Sequence, residues 1–283
     1  MATRGAEATL REVRPRADAR RGRGWYAVLA RAGLVTKGIS FGIVGVLAIE
    51  VAAGRDGKAT SREGALHQLA RHGFGKALLI ALALGFAAYA AWRLVEAYAE
   101  PGDGAKAWAK RAAYVGRAAI YGALAYTSAK IVLGARGGQS QNAKAHHAAA
   151  ELLSWPAGTW LVGIAGAIVV GAGLWNAYRG VTLKFEDRWE TGRMSTPARK
   201  WGSRAGVAGH LARGVVFTLV GIFAIRAAVE YDPKDAIGID GALQKLAQQP
   251  YGPYPLGLAA AGLACYGLYC LVDARYRDVS AAG

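Results

Sequence analysis

The sequence TKGISFGIVG at residues 36–45 returns as ARGVVFTLVG at residues 212–221, and a more diverged copy begins at Gly116. The stretch that follows each copy also repeats, because residues 64–92 match residues 241–269 without a gap. A segment that returns along a chain is the signature of a repeat architecture. The sequence therefore predicts one helical hairpin used three times.

The apolar segments that carry these copies are each about as long as a membrane span. A helix needs about 20 apolar residues to cross a hydrocarbon layer of about 30 Å, and helix satisfies every backbone polar group inside lipid. The chain is 53% hydrophobic with a mean hydropathy of +0.17. We therefore expect an all-α polytopic membrane bundle of six transmembrane helices. The segments are 33–53, 77–97, 112–133, 156–178, 208–229 and 254–273.

The domain organisation follows from these copies. The expected units are a basic disordered arm at residues 1–24 and three hairpin repeats at residues 25–100, 101–185 and 186–278. The arm has no apolar core of the kind a cleavable signal peptide carries. Its many arginines and alanines predict a mobile segment.

Basic residues predict the orientation of the bundle. The chain holds 35 Lys and Arg against 19 Asp and Glu, a formal net charge of +16. Of the 35 basic residues, 24 fall on the side shared by both termini and by the second and fourth connections between spans. Lys and Arg accumulate in cytoplasmic loops. We therefore expect both termini in the cytoplasm, which requires an even number of spans.

The repeated residues resemble a bacterial family, the domain of unknown function 1206, which occurs as three tandem copies in membrane proteins. Lys37-Gly38 and Arg213-Gly214 carry the match in the first helices, and Gly73-Phe74-Gly75 and Pro250-Tyr251-Gly252 carry it at the turns. The middle copy departs from the pattern, with Ala118 in place of the glycine. The resemblance implies a protein of the bacterial cytoplasmic (inner) membrane and no established activity.

Charged residues recur at two levels of the three first helices. The first level is Lys37, Arg117 and Arg213, and the second follows 13 residues later as Glu50, Lys130 and Arg226. Thirteen residues rise about 20 Å, so the two levels lie near opposite interfaces. One interpretation is that long side chains snorkel to the head groups. The other is a ring around a pseudo-threefold axis, in which Glu50 neutralises Lys130 or Arg226 at the outer mouth of a pathway.

Small residues also recur at a spacing of four in the first helices. Residues four apart share one helix face, and small residues there let two backbones approach closely in lipid. Such positions predict helix packing, and a substrate path lined by glycines is the alternative. The glycines concerned are Gly38, Gly42, Gly122 and Gly214.

Motifs of catalysis and cofactor binding are not recognisable in the sequence. No Ser/His/Asp set, phosphate loop or HExxH motif stands out. His67, His72, His146 and His147 come from two loops without supporting carboxylates, so we expect solvated histidines rather than a metal site, and no cofactor. Cys265 and Cys270 point about 140° apart on a helix, which predicts packing rather than a disulfide. The expectation is a protein that is not an enzyme.

Two functional hypotheses remain open. The repeat symmetry favours a small permease or channel-like component for an ion, small solute or lipid, because transporters commonly place their sites between repeats. The alternative is a non-catalytic membrane scaffold that binds anionic lipid or a partner protein. Expected partners are membrane lipids with anionic head groups at the cytoplasmic face, and a second copy or a membrane partner protein. Nucleic acid is not expected, because no binding fold accompanies the charge.

Overall fold

The computed structural model describes residues 3–54, 75–134 and 141–278, with side chains described from residue 24 onward, except that of Gln141. These residues form helices and short 3-10 turns without a β-strand, which confirms the all-α class. The helices are α1 Thr3–Ala52, α2 Gly75–Ala99, α3 Ala105–Val132, α4 Gln141–Leu153, α5 Gly158–Val181, α6 Thr196–Val229, α7 Ile239–Ala247 and α8 Pro253–Tyr276.

Five of these helices are long and apolar enough to cross a membrane. They are the part of α1 from Gly24 to Ala52 and the whole of α2, α5, α6 and α8. Helix α3 has 28 residues, yet in the part of the chain that is described it does not reach the same hydropathy. The reason is that Arg117 and three tyrosines interrupt its apolar sequence. Five of the six expected spans are therefore found among the described residues, and the sixth, the segment 112–133 in α3, is not confirmed.

The N-terminal arm differs from its expected form. The structure extends α1 back to Thr3, so the backbone of most of the arm is helical. Alanine and arginine are both strong helix formers, which explains why the helix continues beyond the apolar segment. The predicted turn at Gly73-Phe74-Gly75 lies mostly outside the described residues, because Gly73 and Phe74 fall in 55–74.

The helices pack in the spatial order α3, α2, α1, α8, α6, α5. The first helix of each repeat packs most extensively on the second helix of another repeat. These pairs are α1 on α8, α3 on α2 and α6 on α5. Within repeats, α1 packs on α2 and α6 on α8. Helices α3 and α5 make no extensive contact over their described lengths, so the middle repeat is not a closed hairpin. Packing between repeats, rather than within hairpins, holds this bundle together.

Glycines explain how these neighbouring helices approach so closely. A Cβ added at Gly38 would lie 2.9 Å from the carbonyl oxygen of Gly267, and one added at Gly214 would lie 3.1 Å from that of Gly173. Because side chains cannot fit there, the backbones of α1 and α8, and of α5 and α6, are in direct contact. A Cβ added at Gly42 or at Gly122 would meet nothing within 4 Å. Of the four glycines predicted to pack helices, Gly38 and Gly214 therefore lie at close helix contacts, whereas a side chain would fit at Gly42 and Gly122.

Two glycines one turn apart on α1 provide a test of this packing. We expect Gly45→Ala to destabilise the protein by about 1–3 kcal/mol, because overpacking at a close contact costs that much. Its new Cβ would lie 2.6 Å from the amide nitrogen of Ala264. Gly42→Ala is the matched control, and it should be neutral or stabilising by up to about 1 kcal/mol through helix propensity. Thermal unfolding in detergent measures both, and equal effects would contradict the packing.

The surface of the bundle is apolar where a lipid-facing surface is expected. Leu84, Ile168, Leu258 and Val229 are each more than two-thirds exposed. Trp108, Trp175 and Trp201 are exposed near helix ends, and Trp25 is exposed where the span of α1 begins, as an interfacial aromatic belt requires. Trp92 and Tyr269 are buried instead, because they pack between helices.

Candidate functional site

Lys37 lies at mid-span and points into the bundle. It stands 13 residues after Gly24 and 15 before Ala52, so each end of the span is about 20 Å away. Its Nζ donates a hydrogen bond of 2.8 Å to the hydroxyl of Tyr266 on α8. The same nitrogen lies 5.0 Å from the ring centroid of Tyr266 and 5.8 Å from that of Tyr89. This lysine therefore does not snorkel to the head groups.

Arg213 reaches the same tyrosine from α6. Its Cζ lies 4.4 Å from the ring centroid of Tyr266, and 4.8 and 5.2 Å from those of Phe217 and Phe41. Its buried Nε has no hydrogen-bond partner. Aromatic faces attract cations by up to about 2 kcal/mol when water is excluded. Lys37 and Arg213 are thus held close together around one ring, and we call Lys37, Arg213, Tyr89 and Tyr266 the cation–tyrosine site.

The positive charge of the cation–tyrosine site is not neutralised. Among the described residues, neither Lys37 nor Arg213 has a carboxylate within ion-pair distance. Lys37 Nζ and Arg213 Cζ lie 5.0 and 4.4 Å from the centroid of the Tyr266 ring, so the two cations are close to each other. Two like charges about 9 Å apart at an effective dielectric constant of about 20 repel by roughly 2 kcal/mol. An anion placed between them would remove this repulsion. The site can therefore bind an anion by charge, and by hydrogen bonds from Lys37 Nζ and Arg213 Nε.

The third member of this level, Arg117, lies on α3 and is exposed. Its Cζ is 5.7 Å from the ring centroid of Tyr114. One turn further along α3, the ring of Tyr121 packs 4.3 Å from that of Tyr89. The structure therefore brings two of the three predicted cations together, whereas Arg117 lies next to Tyr114, one turn from the Tyr121 that packs on Tyr89.

The second level of charges, Glu50, Lys130 and Arg226, does not form a ring in this structure. Arg226 pairs with Glu230 at 2.8 Å and with Asp235 at 3.3 Å, and its hydrogen bonds lower the pKa of the Glu230 carboxyl. Lys130 Nζ lies 4.9 Å from the ring centroid of Tyr126. Glu50 is half-buried, and the described residues contain no ion pair between it and Lys130 or Arg226. Glu50 therefore neutralises neither cation in this structure.

The connection between α5 and α6 inserts two aromatic side chains into the end of the bundle where α6 begins. Phe185 is fully buried and stacks on His210, with ring centroids 5.0 Å apart. Trp189 packs on Phe185 and Tyr269, and His210 is hydrogen-bonded through Nδ1 to the carbonyl oxygen of Gly206 at 2.8 Å. We call Phe185 and Trp189 the aromatic plug, because together they close this end between α6 and α8.

A buried ion pair at the end of α8 holds the aromatic plug in place. Asp273 accepts a hydrogen bond of 3.1 Å from Trp189 Nε1 and pairs with Arg277 through two guanidinium nitrogens. Burial alone would lower the pKa of Arg277, but the Asp273 carboxylate more than offsets this and the pKa is raised. The backbone of Glu190 donates to the carbonyl oxygen of Tyr276 at 2.8 Å. The connection is thus fastened to α8 by side chains and backbone together.

The repeat alignment contains a signal for part of this site. Tyr89 and Tyr266 occupy equivalent positions, and so do Glu96 and Asp273 seven residues later. Glu96 pairs with Arg93 as Asp273 pairs with Arg277. The same tyrosine and acid are absent from the middle copy, where Ala172 stands at the tyrosine position. The aromatic plug has no comparable signal, because it lies in a connection that does not repeat.

Metal ligands are not clustered in the part of the chain that the structure describes, where no group of three His, Cys, Asp or Glu side chains could hold an ion. His146 and His147 lie on α4, whereas His67 and His72 lie outside the described residues. Cys270 is buried and unpaired.

Several long apolar helices, packed with their backbones in contact, define a multi-pass helical membrane protein. The chain belongs to the family Domain of Unknown Function (DUF1206), whose model matches three times, at residues 32–100, 112–183 and 208–277. It is also similar to the uncharacterized protein YxxB of Bacillus subtilis (strain 168), with 32% identity over 260 residues. That alignment covers 90% of this chain and 93% of the relative. No solved structure matches the chain.

Proposed function

We propose that this protein is a small permease or channel-like component that passes a small anion, with the cation–tyrosine site as its binding site. The observation that carries the proposal is the pair of cations, Lys37 and Arg213, which lie inside the bundle without a carboxylate partner among the described residues. Ionisable residues inside membrane spans are costly, face the bundle interior and commonly mark ion or substrate pathways.

The geometry also favours one class of substrate. Two uncompensated cations repel metal ions and organic cations, so an anion is the favoured ligand. Tyr89 and Tyr266 pack directly against Lys37, so only a small ligand could approach its ammonium group. The aromatic plug closes the bundle beyond this site, so passage requires the 182–195 connection to move. The favoured ligand is therefore a small anion. In this proposal the bundle is closed at the end that the aromatic plug occupies.

The placement in the membrane is part of the proposal. We place the protein in the bacterial cytoplasmic membrane with both termini in the cytoplasm, supported by the excess of basic residues on that side. This topology needs α3 as a sixth span, and its 28 residues extend about 42 Å, enough to cross. The protein is not an enzyme in this proposal, because the role given to Lys37 and Arg213 is to hold an anion by charge.

Flux into proteoliposomes tests the proposal. The purified chain is reconstituted, and uptake of chloride, nitrate, phosphate and acetate is compared with uptake of potassium. We expect at least one anion to enter faster than it leaks into empty liposomes, whereas potassium entry stays at the leak rate because the cations of the site repel it. Anion flux equal to the leak for the whole panel, or faster potassium entry, would contradict the proposal.

A scaffold that binds anionic lipid, a partner protein or a second copy is the alternative function. It is supported by exposed basic residues near the ends of the helices, among them Lys200 and Arg204 at the start of α6. Removing residues 1–24 distinguishes the two functions. A scaffold that works through its basic arm should lose most of its binding to anionic vesicles or partner, whereas a permease should keep its anion flux.

A further inference from the structure

A basic cavity lies apart from the cation–tyrosine site, between α1, α8 and the connection before α6. It measures about 430 Å³ and is lined by three arginines, Arg31, Arg193 and Arg275, together with apolar residues that include Val35 and Leu271. None of these residues belongs to the binding site proposed above. We call this cavity the arginine cavity.

The charge of the arginine cavity is strongly positive. Arg193 is paired with Glu190 at 2.6 Å. Arg31 and Arg275 are exposed, and no carboxylate of the described residues pairs with either of them. Arg275 lies instead 5.6 Å from the ring centroid of Tyr276. Two guanidinium groups are therefore available to a ligand, and guanidinium binds phosphate with two parallel hydrogen bonds.

The residues of the cavity lie at depths that suit the head group and the acyl chains of a phospholipid. Arg31 stands seven residues after Gly24, where the span of α1 begins, and Arg275 is the last residue but one of α8. Val35 and Leu271 lie one turn further toward the middle of the bundle on the same helix faces, about 6 Å deeper. Both are more than one-third exposed. Arg31 is thus about 10 Å inside the span and Arg275 is near its end, so their long side chains can reach the head groups, with apolar side chains directly below them.

We infer that the arginine cavity binds an anionic phospholipid, with the phosphate between Arg31 and Arg275 and an acyl chain along Val35 and Leu271. The described residues that line the cavity include no Asp or Glu, and the carboxylate of Glu190 is already paired with Arg193. The lining therefore offers no carboxylate to the ammonium group of a zwitterionic lipid. The net charge therefore selects phospholipids whose head group is negative overall. This inference does not depend on anion transport.

Lipid-dependent stability tests the inference with the full chain. The protein in a neutral detergent is titrated with dihexanoyl phosphatidylglycerol, dihexanoyl phosphatidylcholine or glycerol 3-phosphate, and thermal unfolding is followed. We expect phosphatidylglycerol to raise the melting temperature at concentrations about tenfold below those that phosphatidylcholine requires. Glycerol 3-phosphate should have little effect, because it lacks the acyl chain. If it acts at the same concentration as phosphatidylglycerol, the ligand is a soluble anion and the inference is wrong.

Matched variants then locate the binding. Arg31→Gln with Arg275→Gln should raise the phosphatidylglycerol concentration needed by about tenfold or more, because each arginine near the surface attracts anionic lipid. Lys76→Gln with Lys234→Gln removes two exposed charges, one at the start of α2 and one in the connection before α7, both outside the cavity, and should change it less than twofold. Equal changes in the two double variants would overturn the inference. If the first double variant does not fold, the single variants Arg31→Gln and Arg275→Gln decide, with about threefold expected for each.

Discussion

Lys37→Gln with Arg213→Gln should reduce anion flux to the leak of empty liposomes, and each single variant should lower it by about tenfold or more. Hydrogen bonds to charged groups contribute roughly 1.5–3 kcal/mol, which corresponds to a factor of about 10 to 100 in binding. Both residues reach the ring of Tyr266, so the loss of either leaves one cation for the anion. The flux assay in proteoliposomes measures the effect directly.

Arg226→Gln is the matched control for this prediction. Arg226 lies on the same helix as Arg213, yet it is half-exposed and already paired with Glu230 and Asp235. Its removal should leave the anion flux within twofold of the unchanged protein. A drop as large as that caused by Arg213→Gln would mean that general positive charge, and not the cation–tyrosine site, drives the flux.

Two further variants separate binding from folding. Lys37→Arg keeps the charge, so it should retain most of the flux that Lys37→Gln loses. Tyr266→Phe removes the hydroxyl that accepts the hydrogen bond from Lys37 but keeps both cations. If the cluster served only packing, Tyr266→Phe and Lys37→Gln would lower the melting temperature alike and neither would change an ion flux specifically.

Asp273→Asn should destabilise the protein by about 3–5 kcal/mol, the cost of breaking a buried ion pair by removing one charge. Asp273 and Arg277 are both buried, with side chains 2% and 8% exposed. Asparagine retains an acceptor for Trp189, so the loss comes mainly from the buried guanidinium that is left without a counter-charge. Denaturant-induced unfolding in detergent, followed by tryptophan fluorescence, measures the change.

Glu230→Gln provides the contrast, because it breaks an ion pair with Arg226 in which both side chains are about half exposed. Exposed pairs contribute little, so no measurable change in stability is expected. Asp273→Asn combined with Arg277→Gln should recover part of the loss, since neither charge is then left unpaired. A double variant as unstable as the sum of its single variants would show that the ion pair itself is not the cause.

The features that were predictable from the sequence are those that depend on residues close together along the chain. The all-α class, the repeats and five spans were predictable because helical periodicity, hydropathy and repeated sequence are local properties of the chain. Lys37 and Arg213 could be singled out for the same reason, as charges at equivalent positions. The direction in which they point could not, because the partner they share, Tyr266, lies 229 residues from Lys37 along the chain.

The sequence by itself determined the class of protein, the family and the cations at equivalent positions of the repeats, since each is written in residues close together along the chain. The tertiary structure decided which helices are neighbours, and it left the middle repeat open between α3 and α5 within the described residues. It also decided that Phe185 and Trp189 close one end of the bundle. These features arise from packing between distant segments, where the shape of each surface and the positions of glycines such as Gly38 select the partner.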